Sequence, residues 1–515
     1  MTVLDKKRSV LNISVSILSR ILLLVAALFV RRLLIQKIGN DVNGLHSLYA
    51  DIIGMLAVAE LGIGSAIIYS MYSPIVGGDR KKVTALYGLY KRLYRIIGGV
   101  ILGVGLLITP FLPVLIRDYS GLQEKVNVYL TYILTLLSVG ISYFFSAKTS
   151  LIEAHKDNYI TTAIHTVSKL IMYGLQMAAI LMWRSFTIFV VCSIIGTLCI
   201  WGLTEIVVRR KYGDILSDHA TLDKETEKEI IRNAKAMFLH KIGTIMVNGV
   251  DSLIISSFIG VVILGKYNNY TLIATVVSGT IALCFTPLTS IIGHLCVSND
   301  AQKKEQYFHF FYSMNYALGF LFFLGYYAII DGLVTFCFGS GLQIAGPVVF
   351  IITLHYFTMY MRNAALLFRN ASGAFYYDRW KPIVEGITNL ILSLLLVNIL
   401  SEDMRIVGVV FATVITTLFI CHVVEPFILF RHVFMSSPRT FYIRNYLYVA
   451  WFLCFLIGMS YIKTRISSEM PGVSGFLANG AVSVILSIGA IGLISLVDKE
   501  FRGAFRSLRR NLKVS

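Results

Sequence analysis

The feature that most constrains this chain is a series of apolar runs, each about 20 residues long, that recurs from one end of the sequence to the other. Runs of that length can cross the hydrocarbon core of a bilayer as helices, and they lack the ten-residue alternation of barrel strands. The composition agrees, because 56% of the residues are hydrophobic and only 14% are charged. Lipid offers the backbone no hydrogen-bond partners, so we predict an all-α, polytopic membrane protein.

The apolar runs predict fourteen transmembrane spans, and the connections between them leave no room for a soluble domain. The predicted spans are 11–35, 46–72, 88–115, 126–147, 159–183, 186–208, 237–259, 264–293, 309–336, 346–368, 382–401, 406–430, 445–463 and 474–497.

The two halves of the sequence also resemble each other at an offset of 220 or 221 residues. The matching segments are Ile38-Gly39, Gly44 and Tyr49 with Ile259-Gly260, Gly265 and Tyr270; Gly121-Leu122-Gln123 with Gly341-Leu342-Gln343; Thr197-Leu198 with Thr417-Leu418; and Arg20, Asp157 and Glu205 with Lys241, Asp378 and Glu425. Such a repeat is typical of secondary transporters, whose binding site lies at the interface of the repeats. The apolar run after Arg20 could be a signal peptide, but its equivalent at 237–259 could not, so we predict a retained helix.

The repeat predicts the domain organisation. We expect two pseudo-symmetric six-helix bundles at 1–210 and 237–432, joined by a cytoplasmic linker at 211–236. Residues 433–515 would add two further transmembrane helices and a basic cytoplasmic tail.

The formal net charge of +18 reflects topology rather than a nucleic-acid partner, because no nucleic-acid motif accompanies it. Basic residues gather in the even-numbered connections and in the tails, Lys381 and Arg444 among them. The positive-inside rule therefore predicts that both termini are cytoplasmic. We expect the basic tail to lie on the anionic inner leaflet, with a purely topogenic role as the alternative. The seven cysteines are scattered, so we interpret them as packing residues.

A few cations fall inside apolar runs, where each costs roughly 2.5–3.5 kcal/mol near the bilayer centre. Arg20 and its repeat mate Lys241 are expected to line a hydrated cavity from the two halves. Arg31 lies eleven residues after Arg20 and so shares its side of the helix to within about 20°. Two alternatives stay open: Arg31 snorkels to the outer interface, and the paired cations are neutralised by nearby acids for structural reasons.

Other polar groups in the predicted spans are candidates for ion or substrate contacts. They are Asp51, Glu60, His165, Lys169, Asn248, Asp251, Arg362, Glu385, Asn389, Thr413, Thr416 and Thr417. Asp51 has an equally good interpretation as a helix cap. Glu205 and Glu425 lie near a membrane boundary, and we predict that each pairs with neighbouring arginines.

The two six-helix halves, the linker, the two extra helices and the repeated I-G-x4-G-x4-Y pattern resemble the multidrug/oligosaccharidyl-lipid/polysaccharide (MOP) exporter superfamily. Residues 248–260 and Glu60-Leu61-Gly62-Ile63-Gly64 are similar to signatures of its polysaccharide-transporter branch, the Wzx-type oligosaccharide flippases. The resemblance implies a non-enzymatic flippase in the bacterial cytoplasmic membrane. It would translocate undecaprenyl-diphosphate-linked oligosaccharide units by alternating access for surface polysaccharide biosynthesis.

The resemblance also implies roles for individual residues. Arg20, Arg31, Lys241 and Arg362 would bind the diphosphate, which guanidinium groups grip well. Asp251, Glu385, Asn389 and Thr413 would couple transport to Na⁺, with H⁺ as the alternative. We expect no catalytic residue, no metal site and no other cofactor. The expected partners are the lipid-linked glycan, a polysaccharide polymerase and glycosyltransferases, and the expected state is a monomer.

Two other functions remain open at this stage. A multidrug antiporter of the same fold would usually carry an acidic or aromatic cavity for cations, and Arg20 with Lys241 argues against it. A membrane-embedded polysaccharide polymerase or ligase would usually need a long outer loop with catalytic Arg or His. The predicted outer connections are short, and no acid pair or metal-ligand spacing is evident.

Overall fold

The computed structural model describes residues 3–57, 63–217, 220–228, 230–231, 249–285, 292, 300–374 and 377–503, and the regular structure within them is helical. The first ten helices are α1 (Val3–Lys37), α2 (Asn40–Leu56), α3 (Ile63–Val76), α4 (Arg80–Ile108), α5 (Leu112–Leu115), α6 (Tyr119–Lys125), α7 (Val128–Tyr143), α8 (Ser146–Ala154), α9 (Asn158–Trp183) and α10 (Phe186–Ser217). The others are α11 (Gly249–Ile259), α12 (Val261–Phe285), α13 (Ala301–Phe338), α14 (Gly346–Met361), α15 (Asn363–Ser372), α16 (Lys381–Ile399), α17 (Arg405–Thr416), α18 (His422–Leu429), α19 (Arg439–Glu469) and α20 (Val473–Val497).

The predicted class, an all-α polytopic membrane protein, is confirmed. Eight helices in the described part of the chain are long and apolar enough to cross a membrane, or nine if α6 and α7 form one bent span. The predicted spans 46–72, 237–259 and 264–293 each include residues outside the described ranges. The predicted span 11–35 is described as part of α1 but is not among the eight, so the total of fourteen stays a prediction.

The chain divides into two compact units, the first from Met1 to Gly265 and the second from Lys266 to Ser515. This division falls inside α12. Most of residues 229–248 lie outside the described ranges, so the predicted bundle boundaries at 1–210, 211–236 and 237–432 stay predictions.

In the first unit, α1 packs along α9, and α10 packs against α9 and α7. The hydroxyl groups of Ser19 and Thr166 share a hydrogen bond of 2.5 Å across the α1–α9 contact. The repeated Tyr49 is buried and donates its hydroxyl to the carbonyl oxygen of Val128 at 2.7 Å. These contacts satisfy polar groups between helices, as a low-dielectric interior requires.

The two copies of the I-G-x4-G-x4-Y pattern break the chain in the same way. Gly39 separates α1 from α2 with φ 139°, and Gly260 separates α11 from α12 with φ 123°. Side chains rarely adopt such positive φ values, which explains glycine at both positions. The repeat seen in the sequence is therefore also a repeat of backbone geometry.

The second glycine of each copy permits a close backbone contact within the first unit. A Cβ atom on Gly44 would lie 1.9 Å from the carbonyl oxygen of Val261, and one on Gly265 would lie 2.6 Å from that of Asn40. The Asn40 side-chain amide donates to the Val262 carbonyl oxygen at 2.8 Å. The starts of α2 and α12 can meet here because neither glycine carries a side chain.

In the second unit, α13 packs against α14, α19 and α20 through an aromatic core. Phe357 of α14 stacks on Phe452 of α19 with ring centroids 3.7 Å apart. The prediction that Arg444 lies in a cytoplasmic loop is wrong, because Arg444 is buried inside α19. Its guanidinium donates to Ser313 of α13 at 2.5 Å and pairs with Asp498 after α20 at 2.8 Å. Arg444 thus fastens the last two helices to α13.

Candidate functional site

Four charged side chains form an ionic cluster where α14, α16 and α18 meet in the second unit. Arg362 lies at the break between α14 and α15, Lys381 and Glu385 lie in the first turns of α16, and Glu425 lies in α18. Glu425 accepts hydrogen bonds from Arg362 Nη2 and from Lys381 Nζ, both at 2.6 Å. Glu385 is held less closely, at 3.2 Å from Lys381 Nζ and 3.6 Å from Arg362 Nη1.

The ionic cluster is buried and charge-balanced. Lys381 is 7% exposed, Glu385 is 3% exposed and Glu425 is 1% exposed. Removing such charges from water is costly, and only the pairing of two cations with two carboxylates offsets the cost. A cation or an anion of this cluster could not be removed alone without leaving a buried charge.

The ionic cluster bears on four expectations from the sequence. The prediction that Glu425 pairs with a neighbouring arginine is confirmed. Lys381, predicted to lie in a loop, instead begins α16 and is buried, and its cytoplasmic side stays a prediction. Arg362, predicted to bind substrate, has its guanidinium engaged by two carboxylates, and Glu385, predicted to couple an ion, is engaged by two cations.

Two predicted ion-coupling residues meet further along the same helices. The side-chain amide of Asn389 in α16 donates to the hydroxyl oxygen of Thr413 in α17 at 2.8 Å, and both side chains are buried. The Oδ1 atom of Asn389 and the Oγ atom of Ser393 are buried and have no hydrogen-bond partner among the described residues. Hard cations prefer such neutral and anionic oxygen ligands, so these atoms fit a bound cation or an ordered water.

Ser393 was not among the residues predicted from the sequence. The available signal was its spacing, because a residue four positions after Asn389 lies on the same side of the helix. A single serine in an apolar run gives no other indication of a role.

The ionic cluster and the Asn389–Thr413 pair belong to one buried polar seam between two antiparallel segments. Its residues recur every four positions and are all at most 7% exposed: Lys381, Glu385, Asn389 and Ser393 on α16, and Thr413, Thr417, Cys421 and Glu425 on the segment from α17 to α18. A π-helical turn at Thr417–Cys421 joins α17 to α18 in the middle of this polar seam. Such turns are rare and occur often at functional sites.

Arg20 is exposed on α1 in the first unit. The exposed apolar side chains Leu18 and Phe29, which are 60% and 59% exposed, lie about 160–180° around the helix from Arg20. Arg31 shares the side of Arg20, is partly buried, and interacts electrostatically with Asp51 of α2. The two most exposed apolar side chains described on α1 therefore lie opposite the arginines.

The remaining candidates lie in different parts of the chain. Asp251 is buried in α11, which the first unit holds through a hydrogen bond of 2.6 Å from Ser256 Oγ to the carbonyl oxygen of Leu115. Glu205 pairs with Lys148 and Arg209, which confirms its prediction. Lys241, Asn248 and Glu60 lie outside the described residues, so the Arg20–Lys241 pairing stays a prediction.

Within the described ranges, no group of three or more His, Cys, Asp or Glu side chains is arranged to hold a metal ion. The second unit thus has an amide and hydroxyls beside an ionic cluster, and the first unit has cations on α1. This combination suits binding of a monovalent cation in one place and of an anion in another.

Comparisons with known proteins place this geometry in a family. The polysaccharide biosynthesis protein family matches residues 9–291, which is more than half of the chain. No curated protein matches the sequence significantly.

Two solved structures share the fold at low sequence identity. The lipid II flippase MurJ in an inward closed conformation matches with a TM-score of 0.66 at 12% identity, over 95% of this chain and 100% of that one. A multidrug resistance MATE family transporter of the MOP superfamily, in an inward-facing conformation, matches with a TM-score of 0.56 at 12% identity, over 76% of this chain and 92% of that one. The chain therefore belongs to the polysaccharide biosynthesis protein family and has the fold of the MOP superfamily.

Proposed function

We propose that this protein is a flippase that translocates undecaprenyl-diphosphate-linked oligosaccharide across the bacterial cytoplasmic membrane by alternating access. The observation that carries the proposal is Arg20, an exposed cation of α1 within the predicted span 11–35. None of the described carboxylates pairs with it. The family match supports a role in surface polysaccharide biosynthesis. The fold of a lipid II flippase supports transport of a lipid-linked substrate.

The chemistry of Arg20 suits the proposed substrate. An unpaired cation near the bilayer centre costs roughly 2.5–3.5 kcal/mol unless it meets water or an anion. A guanidinium group can form two parallel hydrogen bonds to a phosphate group. We propose that Arg20 holds the diphosphate during translocation, that Arg31 provides a second station on the same side of α1, and that Lys241 adds a further cation. The polyprenyl chain would stay in the lipid.

We propose that transport is coupled to a cation, with Na⁺ as the first choice and H⁺ as the alternative. In the second unit, Asn389, Ser393 and Thr413 would hold Na⁺ through their side-chain oxygens. Two of these oxygens are buried without a described hydrogen-bond partner, which supports the assignment. Bound Na⁺ would supply a positive charge, and the three side chains would replace its water shell.

A reconstitution assay tests the proposed function. Purified protein in liposomes is expected to move a polyprenyl-diphosphate-linked oligosaccharide between leaflets, measured by the fraction that a membrane-impermeant glycosidase cleaves. The same glycan on a polyprenyl monophosphate is the control. It should move more slowly if cationic side chains of the protein recognise the diphosphate. Equal rates with and without the protein would contradict the proposal. Dye extrusion would favour a multidrug antiporter, and glycan lengthening would favour a polymerase.

Replacing Asp251 by asparagine tests the coupling. Asp251 is the buried carboxylate of α11, and we propose that it takes part in coupling, so its replacement is expected to abolish the dependence of transport on Na⁺. Transport would be measured against Na⁺ concentration with choline as the replacement cation. Full Na⁺ dependence in Asp251→Asn would refute the role of Asp251. Equal activity of the unaltered protein in choline at several pH values would argue against either coupling ion.

A further inference from the structure

The two repeats fill the same place with opposite chemistry. At the offset of 221, Arg362, Lys381 and Glu385 correspond to three isoleucines of the first unit, Ile141, Ile160 and Ile164. Those isoleucines belong to a hydrophobic cluster with the buried Phe145 and Ile200. Three of the four positions of the ionic cluster are therefore aliphatic in the first unit, while the fourth, Glu425, has the charged repeat mate Glu205, which pairs with Lys148 and Arg209.

Side-chain contacts support this correspondence. Ser138 Oγ lies 3.2 Å from Thr197 Oγ1 in the first unit. The repeat mates of those residues also touch in the second unit, where Thr417 Oγ1 lies 3.6 Å from Met359 Sδ. The equivalent helices therefore contact each other in the same register in both units.

Packing alone does not require a charge at the positions of Arg362, Lys381 and Glu385. Replacing a buried ion pair by apolar residues of similar volume is often neutral or stabilising. The first unit shows that three of these four positions accept aliphatic side chains. The charges in the second unit consequently call for a reason other than packing.

The position of the ionic cluster on the polar seam suggests that reason. Lys381 and Glu425 join the two sides of the polar seam at one end. Asn389 and Thr413 join the two sides again eight residues further along α16, a distance of about 12 Å. A helix that slid or rotated would break both links together. Apolar contacts hold helices together but tolerate several registers, whereas buried polar pairs select one.

We propose that Arg362, Lys381, Glu385 and Glu425 are positioning residues for the coupling cation. The ionic cluster holds α16 against α17 and α18 in the register that brings Asn389, Ser393 and Thr413 together. The inference rests on the proposed coupling site in these helices. It assigns that site a supporting set of residues that contact neither the cation nor the substrate.

A fourfold substitution tests the proposal: Arg362→Met, Lys381→Met, Glu385→Leu and Glu425→Leu. The purified variant is expected to melt at or above the temperature of the unaltered protein in choline chloride. Its Na⁺ affinity, measured from the rise in melting temperature with sodium chloride, is expected to fall about 10- to 100-fold, as when the supporting partners of metal ligands are lost. The Na⁺ concentration for half-maximal transport should rise by the same factor.

Two control variants define the outcome. Asp331→Leu with Lys463→Met removes another ion pair of the second unit, on α13 and α19, and should leave the Na⁺ response unchanged. Asn389→Ala removes a proposed ligand and should abolish that response. A fourfold variant with unaltered Na⁺ affinity would overturn the positioning role. A fourfold variant that fails to fold would overturn the claim that packing does not need the charges.

The same measurements separate this inference from the proposed function. If the unaltered protein shows no Na⁺-dependent rise in melting temperature, the coupling site is refuted and the positioning role with it, while flipping can still be tested in liposomes. If Na⁺ binds and the fourfold variant binds it weakly, but neither protein flips lipid-linked glycan, only the transport function is refuted.

Discussion

Replacing Glu425 alone by glutamine is expected to lower the free energy of unfolding by about 3–5 kcal/mol, the largest stability loss that we expect from a single substitution in the second unit. Glu425 accepts the two shortest hydrogen bonds of the ionic cluster, from Arg362 and Lys381. Its neutralisation would leave two buried cations to share Glu385, which is held at longer distances. Thermal melting of the purified protein measures the effect.

The repeat mate of Glu425 provides a matched control. Glu205 also pairs with two cations, Lys148 and Arg209, but its side chain is 18% exposed and Arg209 lies in solvent. Water can replace part of each interaction, so Glu205→Gln is expected to cost about 1 kcal/mol or less. Equal losses from the two substitutions would contradict the argument that burial sets the energy.

The fourfold apolar variant completes this comparison. It removes Glu425 together with its partners, so no charge is left buried without a counter-charge. We expect the single substitution to destabilise the protein and the fourfold substitution not to do so. A fourfold variant less stable than Glu425→Gln would show that the attraction between the four charges exceeds the free-energy cost of burying them.

Much of the fold follows from the sequence because it depends on local patterns. Apolar runs of bilayer length specify helices wherever the backbone has no water to bond. The glycines of the repeated pattern specify chain breaks, which Gly39 and Gly260 make with positive φ. Glu205 and Glu425 were correctly expected to pair, since a carboxylate at a membrane boundary near arginines has few alternatives.

The site was harder to predict because it depends on tertiary contacts. Lys381 follows Asp378 and Arg379, and this density of charges predicts a loop. In the structure, Lys381 lies in the helix junction, where its ammonium group donates to Glu425. Arg20 and Arg362 look alike in the sequence, as single cations in apolar runs. Only the fold shows that Arg362 meets a carboxylate 63 residues away, whereas no described carboxylate pairs with Arg20.

That difference makes Arg20 the residue whose loss should affect transport most. Replacing Arg20 by alanine is expected to slow flipping about 10- to 100-fold, since a hydrogen bond to a charged group contributes about 1.5–3 kcal/mol and each 1.4 kcal/mol corresponds to a factor of ten. Lipid-linked glycan should accumulate on the inner leaflet of cells that carry the variant, and surface polymer should fall. Its melting temperature should stay close to that of the unaltered protein, because Arg20 is exposed and has no described ion-pair partner.

Two further variants of α1 determine how that result is interpreted. Arg20→Lys keeps the charge but loses the planar pair of donors, so it should restore part of the rate and leave a preference for diphosphate over monophosphate. Phe29→Ala alters the opposite side of α1 and should leave flipping unchanged. If Arg20→Ala supports normal surface polymer without inner-leaflet accumulation, Arg20 does not hold the substrate. If Phe29→Ala slows flipping as much as Arg20→Ala does, the loss of activity is caused by altered packing of α1 rather than by the missing charge.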